Sequence, residues 1–230
     1  QNTADILLNK WHTDPAKTMV FNPGVDASLF IPAPPSQEVK SQLGWEDKKV
    51  ILTVGRLQER KGHDKLIEAL PSIIKRIPNA LYAIIGDGER KSALHALVED
   101  LNLEAHVLFM SELDDEQMIQ CYQQCDVFVL PNRTVGSDIE GFGMVLVEAQ
   151  ACERPVIAGD SGGTSETMLL DETGFIVDCT QPQVLADKIG DLLENDTLRE
   201  SMGKAGRKHV QQTLDWPVLS QALKDEFETL

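Results

Sequence analysis

Two carboxylates, Glu140 and Glu148, flank the turn Gly141-Phe142-Gly143-Met144. Glycine-rich turns that open a helix let backbone N–H groups come close to a phosphate or a sugar. From Gly143 to Cys152 the chain is apolar nearly all round except at Glu148, the pattern of a helix buried against a sheet. An unpaired carboxylate in such a helix is costly or shifts its pKa. No Lys or Arg stands three or four residues from Glu148. Glu148 is therefore expected either to be offered to a partner outside the chain or to face a solvated groove or a distant arginine. With Glu140 ahead of the turn, the two carboxylates can flank one cleft.

A second constellation follows the apolar run Val50–Val54. It reads Gly55-Arg56-Leu57-Gln58-Glu59-Arg60-Lys61-Gly62 and gathers three cations in a very acidic chain. Arg supplies a fork of donors and Lys a compact charge, which suits a diphosphate, although a solvated basic loop has the same composition. Gly86-Asp87-Gly88 ends another apolar run, but Lys91 stands where a dinucleotide-binding fingerprint needs its third glycine, which argues against a nicotinamide enzyme. Gly159 to Glu166 forms a further glycine-rich turn before an expected helix, serving either as a ligand contact or as a tight connection. There is no D-x-D pair to hold a cation, and Asp114-Asp115-Glu116 reads as charge at a helix N-terminus. The five histidines lack metal-ligand spacing, and no G-x-S-x-G or Cys–His arrangement offers a nucleophile.

These groups need a scaffold, and the apolar pattern supplies one. Runs at Val50–Val54, Leu81–Ile85, Val107–Met110, Val127–Leu130, Val156–Ala158 and Phe175–Val177 read as short buried strands. Segments of helical period lie between them, including the stripe Leu66, Ile67, Leu70, Ile73, Ile74, Ile77, which Pro71 should kink or leave with one unpaired carbonyl. Asp114 with Gln117 makes a capping box for a helix carrying Met118, Ile119 and Tyr122. Alternating strands and helices predict an α/β, doubly wound, Rossmann-like parallel sheet of about six strands, whose ligands bind beyond the carboxyl ends of the strands. Extra helices are expected near 182–193, 197–212 and 217–228, with Asp215 capping the last. Ala4 to Trp11 reads as a helical turn, Thr18 to Phe21 as a short strand, and the proline-rich run 31–45 as an extended surface connection.

Composition sets outer bounds. Hydrophobic residues make up 42% of 230, the net charge is −16 and the pI about 4.6, which disfavours a nucleic-acid surface and binding to an anionic membrane. No apolar run is long enough to span a bilayer. Cys121, Cys125, Cys152 and Cys179 form no C-x-x-C pair and read as buried free thiols. No linker divides the chain, so residues 1–230 are expected to form one nucleotide-binding domain, with 1–17 a remnant link from a preceding domain and 214–230 a terminal helix.

The ordered set of Gly55-Arg56-Leu57 with Lys61-Gly62, Gly86-Asp87-Gly88, Glu140-Gly-Phe-Gly-x4-Glu148, Ser161-Gly162-Gly163-x2-Glu166 and a terminal helix containing Trp216 resembles the carboxyl-terminal domain of family 4 retaining glycosyltransferases of GT-B architecture. Asn132-Arg133-Thr134 and Glu148-Ala-Gln-Ala-Cys152 resemble GDP-mannose-dependent mannosyltransferases that build phosphatidylinositol mannosides. The family often carries Pro-Asn-Gly-Val-Asp near its domain interface, where this chain has Asn22-Pro23-Gly24-Val25-Asp26. The resemblance implies a nucleotide-sugar donor and metal-independent transfer of a hexosyl unit. It implies that Arg56 and Lys61 hold the diphosphate, that Glu140 faces the sugar, and that Glu148 accepts from both ribose hydroxyls. Phe142, Gly143 and Met144, after Gly141, would grip sugar and phosphate through the backbone, with Gly55 beside them. Gly86 and Ser111–Leu113 would border the base, and Glu112 would accept from guanine. It further implies an amino-terminal domain, absent here, that carries the acceptor site and a histidine near the reacting carbon, and a cytoplasmic protein peripheral to a membrane. A sugar-nucleotide epimerase of the same architecture and a non-catalytic nucleotide-binding domain are the alternatives.

Overall fold

The computed structural model describes residues 2–229. Six parallel strands run β1 (Lys49–Val54), β2 (Ala80–Ile85), β3 (Val107–Met110), β4 (Val127–Leu130), β5 (Val156–Gly159) and β6 (Gly174–Val177). They lie in the order β3-β2-β1-β4-β5-β6, so the winding reverses between β1 and β4. Register there aligns Ile51 with Val127 and Leu52 with Phe128. Such a reversal opens a crevice at the carboxyl ends of the strands.

Alternate residues of each strand feed opposite faces of the sheet. Ile51, Tyr82 and Ile84 join Leu66, Leu70 and Ile73 of α3 (His63–Arg76) and Leu185 and Ile189 of α7 (Pro182–Glu194). Val50, Leu52, Leu81 and Ala83 face the other way, onto Trp45, onto Cys121 and Tyr122 of α5 (Asp115–Gln124), and onto Leu146 and Ala149 of α6 (Met144–Ala151). Each fully buried Leu or Ile contributes ~1.5–3 kcal/mol relative to an exposed one. Helix α3 runs unbroken through Pro71, which has no N–H to give the carbonyl of Ile67. The Asp114–Gln117 capping box forms in both directions, at 2.8 and 3.1 Å. All four cysteines are buried free thiols, and burial pushes those of Cys121, Cys152 and Cys179 up to about 12.

Outside the sheet, α1 (Asn2–Lys10) covers most of the turn expected at Ala4 to Trp11, α4 (Lys91–Asp100) lies between β2 and β3, and α8 (Asp196–Thr213) and α9 (Trp216–Thr229) follow α7. Three expectations need correction. Residues 37–42 form a short helix, α2, because the Ser36 hydroxyl accepts from Val39 N at 3.3 Å; only the prolines before it are extended. Residues 18–21 join no sheet and leave Met19, Val20 and Phe21 exposed. The segment is tied down only beyond that point: Val25 bridges Asp215, and Arg207 donates to the carbonyls of Ala27, Phe30 and Ala151. Asp215 therefore spends its carboxylate on Ala27 N, at 3.1 Å, joining this segment to the start of α9.

Candidate functional site

The loop after β1 closes in a single 3-10 turn, Glu59–Lys61, that ends on Gly62 at φ 73°. A Cβ at Gly62 would stand 1.7 Å from the carbonyl oxygen of Pro131, so the close approach of the β1 loop to the end of β4 requires glycine. The turn aims two cations at one acceptor. Lys61 Nζ lies 2.7 Å from Glu140 Oε2, and Arg60 donates to the same oxygen at 2.5 Å while its Nε meets Asp138 at 3.2 Å. Glu140 is 7% exposed and Lys61 8%. Charges buried this deeply persist only when paired, and here the pairing is internal.

Glu140 is placed by the end of β5. Gly163 N donates to the Glu140 carbonyl at 3.1 Å, and Gly162 approaches that same carbonyl so closely that a Cβ would sit 1.7 Å away. Asn132, 1% exposed, bridges the ends of β4 and β5: its Oδ1 accepts from Gly159 N at 3.0 Å and its Nδ2 donates to Ser161 O at 3.2 Å. Arg133 grips Asp64 with both guanidinium nitrogens, at 2.8 and 2.9 Å, fastening the end of β4 to α3. The turn Gly159–Glu166 does not open a full helix. The Thr164 and Thr167 hydroxyls bond the carbonyls of Gly159 and Thr164, and only a 3-10 turn, Thr164–Thr167, forms before β6.

Helix α6 starts on Gly143 at φ 92°, with no side chain capping it. Its first-turn N–H groups thus have no side-chain acceptor, and a helix N-terminus in that state favours an anion. One turn further on, Glu148 is half-buried. Its partner within the chain is neither of the expected ones, a solvated groove or a distant arginine: Tyr122 donates its hydroxyl to Glu148 Oε2 at 2.5 Å. Burial raises the Glu148 pKa, and the bond from Tyr122 opposes that rise.

On the other flank, Gly86 crosses the end of β1 so tightly that a Cβ would lie 2.0 Å from Gly55 O, and Gly86 N donates to Met110 O at 3.2 Å. Ser111 and Glu112 follow on the exposed rim, Glu112 at φ 58°. Gly55 and Gly86 meet at the ends of β1 and β2, and Lys61 pairs with Glu140 just ahead of the 141–144 turn from which α6 carries Glu148. Arg56 stands in solvent and makes no ion pair among the described residues. A cavity of about 360 Å³ adjoins Gly141, Phe142 and Glu166 on the side of residues 18–23. Another, of about 710 Å³, lies at the opposite, amino-terminal end of the strands; there Lys49 already meets Asp126 and Asp196, and Arg199 pairs with Asp196, so its charges are internally matched. Among the described residues no group of three or more His, Cys, Asp or Glu side chains could hold a metal ion.

The model of the family described as glycosyl transferases group 1 matches residues 35–209. The chain belongs to the group 1 glycosyltransferases. A GDP-mannose-dependent alpha-(1-6)-phosphatidylinositol monomannoside mannosyltransferase of Mycolicibacterium smegmatis is 38% identical over 197 residues, 84% of this chain and 52% of the relative. The C-terminal domain of the group 1 protein LpcC from Francisella tularensis superposes with a TM-score of 0.74 at 26% identity, covering 84% of this chain and 100% of that domain. Anabaena HepE, solved in complex with UDP, superposes with a TM-score of 0.85 at 25% identity, over 96% of this chain and 60% of HepE. This group 1 glycosyltransferase chain spans about half the length of the curated relatives it matches.

Several site residues of this glycosyltransferase chain are hard to see in its sequence. Arg60 and Arg56 look alike as cations for phosphate, whereas the structure divides them, one on Glu140 and one in solvent. Tyr122 looks like part of an apolar stripe. Its phenol carried a signal all the same, since a buried Tyr hydroxyl needs a partner and Glu148 needed a donor. Asp138 carries none, and the motifs that contain Asn132 and Ser161 do not tell their roles, which depend on which strand ends meet.

Proposed function

We propose that this chain is the donor half of a retaining hexosyltransferase that takes a sugar from a nucleoside diphosphate sugar without a metal ion. The names of the relatives favour GDP-mannose. One observation carries the reading: Arg60 and Lys61 converge at the carboxyl end of β1, beside the uncapped start of α6, in a protein of net charge −16. Two cations held ready at a strand's carboxyl end, on a carboxylate that an anion with two charged groups can replace, are the chemistry that receives a diphosphate. Lys61 and the N-terminus of α6 take the phosphates, with Arg56 closing from the rim, and they meet the charge that develops as the diphosphate departs. Glu140 turns to the sugar hydroxyls, Glu148 accepts from the ribose, and Gly86 with Ser111–Leu113 borders the base, where Glu112 accepts from guanine.

The acceptor site belongs to an amino-terminal domain outside this chain. Exposed Met19, Val20 and Phe21 offer it apolar surface beside Gly141 and Phe142. Residues 1–17 are the link to it, and the remainder is one nucleotide-binding domain. Among the described residues no helix is long and apolar enough to cross a membrane, and the proposed setting is the cytoplasmic face, with the whole protein peripheral to the lipid.

Calorimetric titration with GDP, UDP and ADP tests the reading and names the base. Binding of one of them, lost by ~1–3 kcal/mol in Glu148→Ala, is the expected outcome. Binding of none overturns it in favour of a non-catalytic fold. Product analysis separates transferase from epimerase, since an epimerase releases an altered donor when no acceptor is present.

A further inference from the structure

Tyr122 sits on α5 with its ring fully buried, against a helix whose own surface at that level is apolar. Its ring stands edge-on to Phe30, with centroids 5.8 Å apart, and tilts against Phe128 at 5.6 Å. These two contacts fix the ring, so its hydroxyl cannot follow a moving partner. That hydroxyl bonds Glu148 Oε2 at 2.5 Å, whereas Oε1 takes no hydrogen bond among the described residues. Phe30 is itself anchored, because Arg207 donates to its carbonyl and to that of Ala151 at the end of α6. One oxygen of Glu148 is thus pinned by a rigid donor, and the other is left open.

We infer that Tyr122 is a positioning residue that sets the sugar specificity of the nucleotide site: by holding Oε2, it presents Oε1 to a vicinal diol and makes the site discriminate ribose from deoxyribose. The inference rests on the proposed role of Glu148 at the ribose. Its logic is that of a pre-organised acceptor. A carboxylate free to rotate can find water when a hydroxyl is missing, whereas a carboxylate pinned at one oxygen cannot, and the loss is charged in full against the deoxy analogue. A second reading, in which Tyr122 only fills the core, predicts no effect on that discrimination.

The test compares GDP, UDP and ADP with their 2′-deoxy counterparts by calorimetry, on the unaltered chain and on Tyr122→Phe, Glu148→Ala and the double variant. For whichever base binds, the unaltered chain is expected to prefer the ribonucleotide by at least about tenfold, the scale of one charged hydrogen bond. Tyr122→Phe is expected to cut that preference to about two- to threefold while leaving deoxynucleotide affinity within about threefold. Adding Tyr122→Phe to Glu148→Ala should change nothing further. A Tyr122→Phe chain that keeps the full preference overturns the inference. Glu148→Ala keeping it, or an unaltered chain that binds the nucleotides without any preference, removes the ribose reading and the inference with it, as does a chain that binds none of the three. Should Tyr122→Phe unfold, the double variant, which leaves neither oxygen nor phenol without a partner, is set against Glu148→Ala. Equal affinity supports positioning through Glu148, and a further loss refutes it.

Discussion

Replacing Glu140 with alanine is expected to weaken the empty protein yet leave its grip on a nucleoside diphosphate intact or stronger. The opposing effects come from the same contacts. Glu140 Oε2 receives Lys61 at 2.7 Å and Arg60 at 2.5 Å, with side chains 8%, 10% and 18% exposed. At an effective dielectric of about 20, a unit pair at this separation attracts by roughly 6 kcal/mol before desolvation is counted. Mutual repulsion of the cations and their remaining contact with water reduce that figure, and breaking a buried pair costs on the order of 3–5 kcal/mol net. Residual exposure of Arg60, together with its second partner Asp138, places the expected loss near ~3 kcal/mol, at the lower end of that range.

Under the proposed function the diphosphate must draw Arg60 and Lys61 away from Glu140, and in the alanine variant it need not. GDP affinity should then stay level or rise by up to about tenfold, and GDP at a hundred times its Kd restores about 2.7 kcal/mol of the lost stability. GDP-mannose should lose ground relative to GDP by about tenfold, because the sugar hydroxyls no longer have a charged acceptor. Urea unfolding with and without nucleotide, together with calorimetry on both ligands, reads all three quantities. A fall in GDP affinity of more than tenfold would falsify the exchange, since Glu140 would then be assisting the phosphates rather than competing with them.

In the complete enzyme, Lys61→Ala should lower kcat by roughly 10²–10³, the scale for losing one donor to developing charge, and a change confined to KM would place Lys61 in ground-state binding instead. Burial, helped by Lys61 nearby, lowers the His63 pKa to about 4 from an ordinary 6.5, and its Nε2 has no hydrogen-bond partner. The unfolded chain therefore binds a proton that the folded chain refuses between about 6.5 and 4, so stability falls as pH falls through that window, by up to roughly 3 kcal/mol. Urea midpoints for His63→Gln should lie on a flatter curve over the same range, and an unchanged slope would assign the acid sensitivity elsewhere. Glu148 is displaced upward, so its ionised form opposes folding at neutral pH. Glu148→Gln, whose amide oxygen still accepts from Tyr122, should gain roughly 0.5–2 kcal/mol in thermal unfolding at neutral pH while losing nucleotide affinity. A loss of both would mean that the ionised carboxylate holds the fold together.

What could be read from sequence, and what could not, divides by distance along the chain. The strands were legible because Val-Ile-Leu-Thr-Val and its counterparts are β-branched runs bounded by turns. The Asp114 capping box was legible because donor and acceptor lie three residues apart. The 37–42 helix is masked by the prolines before it, although Ser36 three residues before Val39 is a local cap signal of the same kind. Arg60 and Glu140, by contrast, are 80 residues apart, and Tyr122 and Glu148 are 26 apart. Their meeting depends on β1 and β4 being neighbours across the reversal of the sheet and on α5 packing beside α6. A carboxylate need not be answered by charge or water either: Glu148 is answered by a neutral phenol.

That division bears on why a site for an anion should keep a carboxylate at its centre. With Glu140 absent, Lys61 would be a largely buried charge without a counter-ion and Arg60 would keep only Asp138, an arrangement that costs several kcal/mol until ligand arrives. With Glu140 present, the empty site is neutralised and its cations are held at the carboxyl end of β1, already oriented. The internal ion pair also sets a threshold for ligands: an anion displaces Glu140 only if it can satisfy both cations together. A diphosphate does so with two adjacent charged groups, whereas a single carboxylate or chloride merely repeats what Glu140 provides. On this account the buried triad selects for the diphosphate before any contact with base or sugar is made. It also predicts that inorganic pyrophosphate stabilises the chain against unfolding at concentrations where acetate and chloride at equal ionic strength do not. Equal stabilisation by all three would reduce the triad to a structural ion pair.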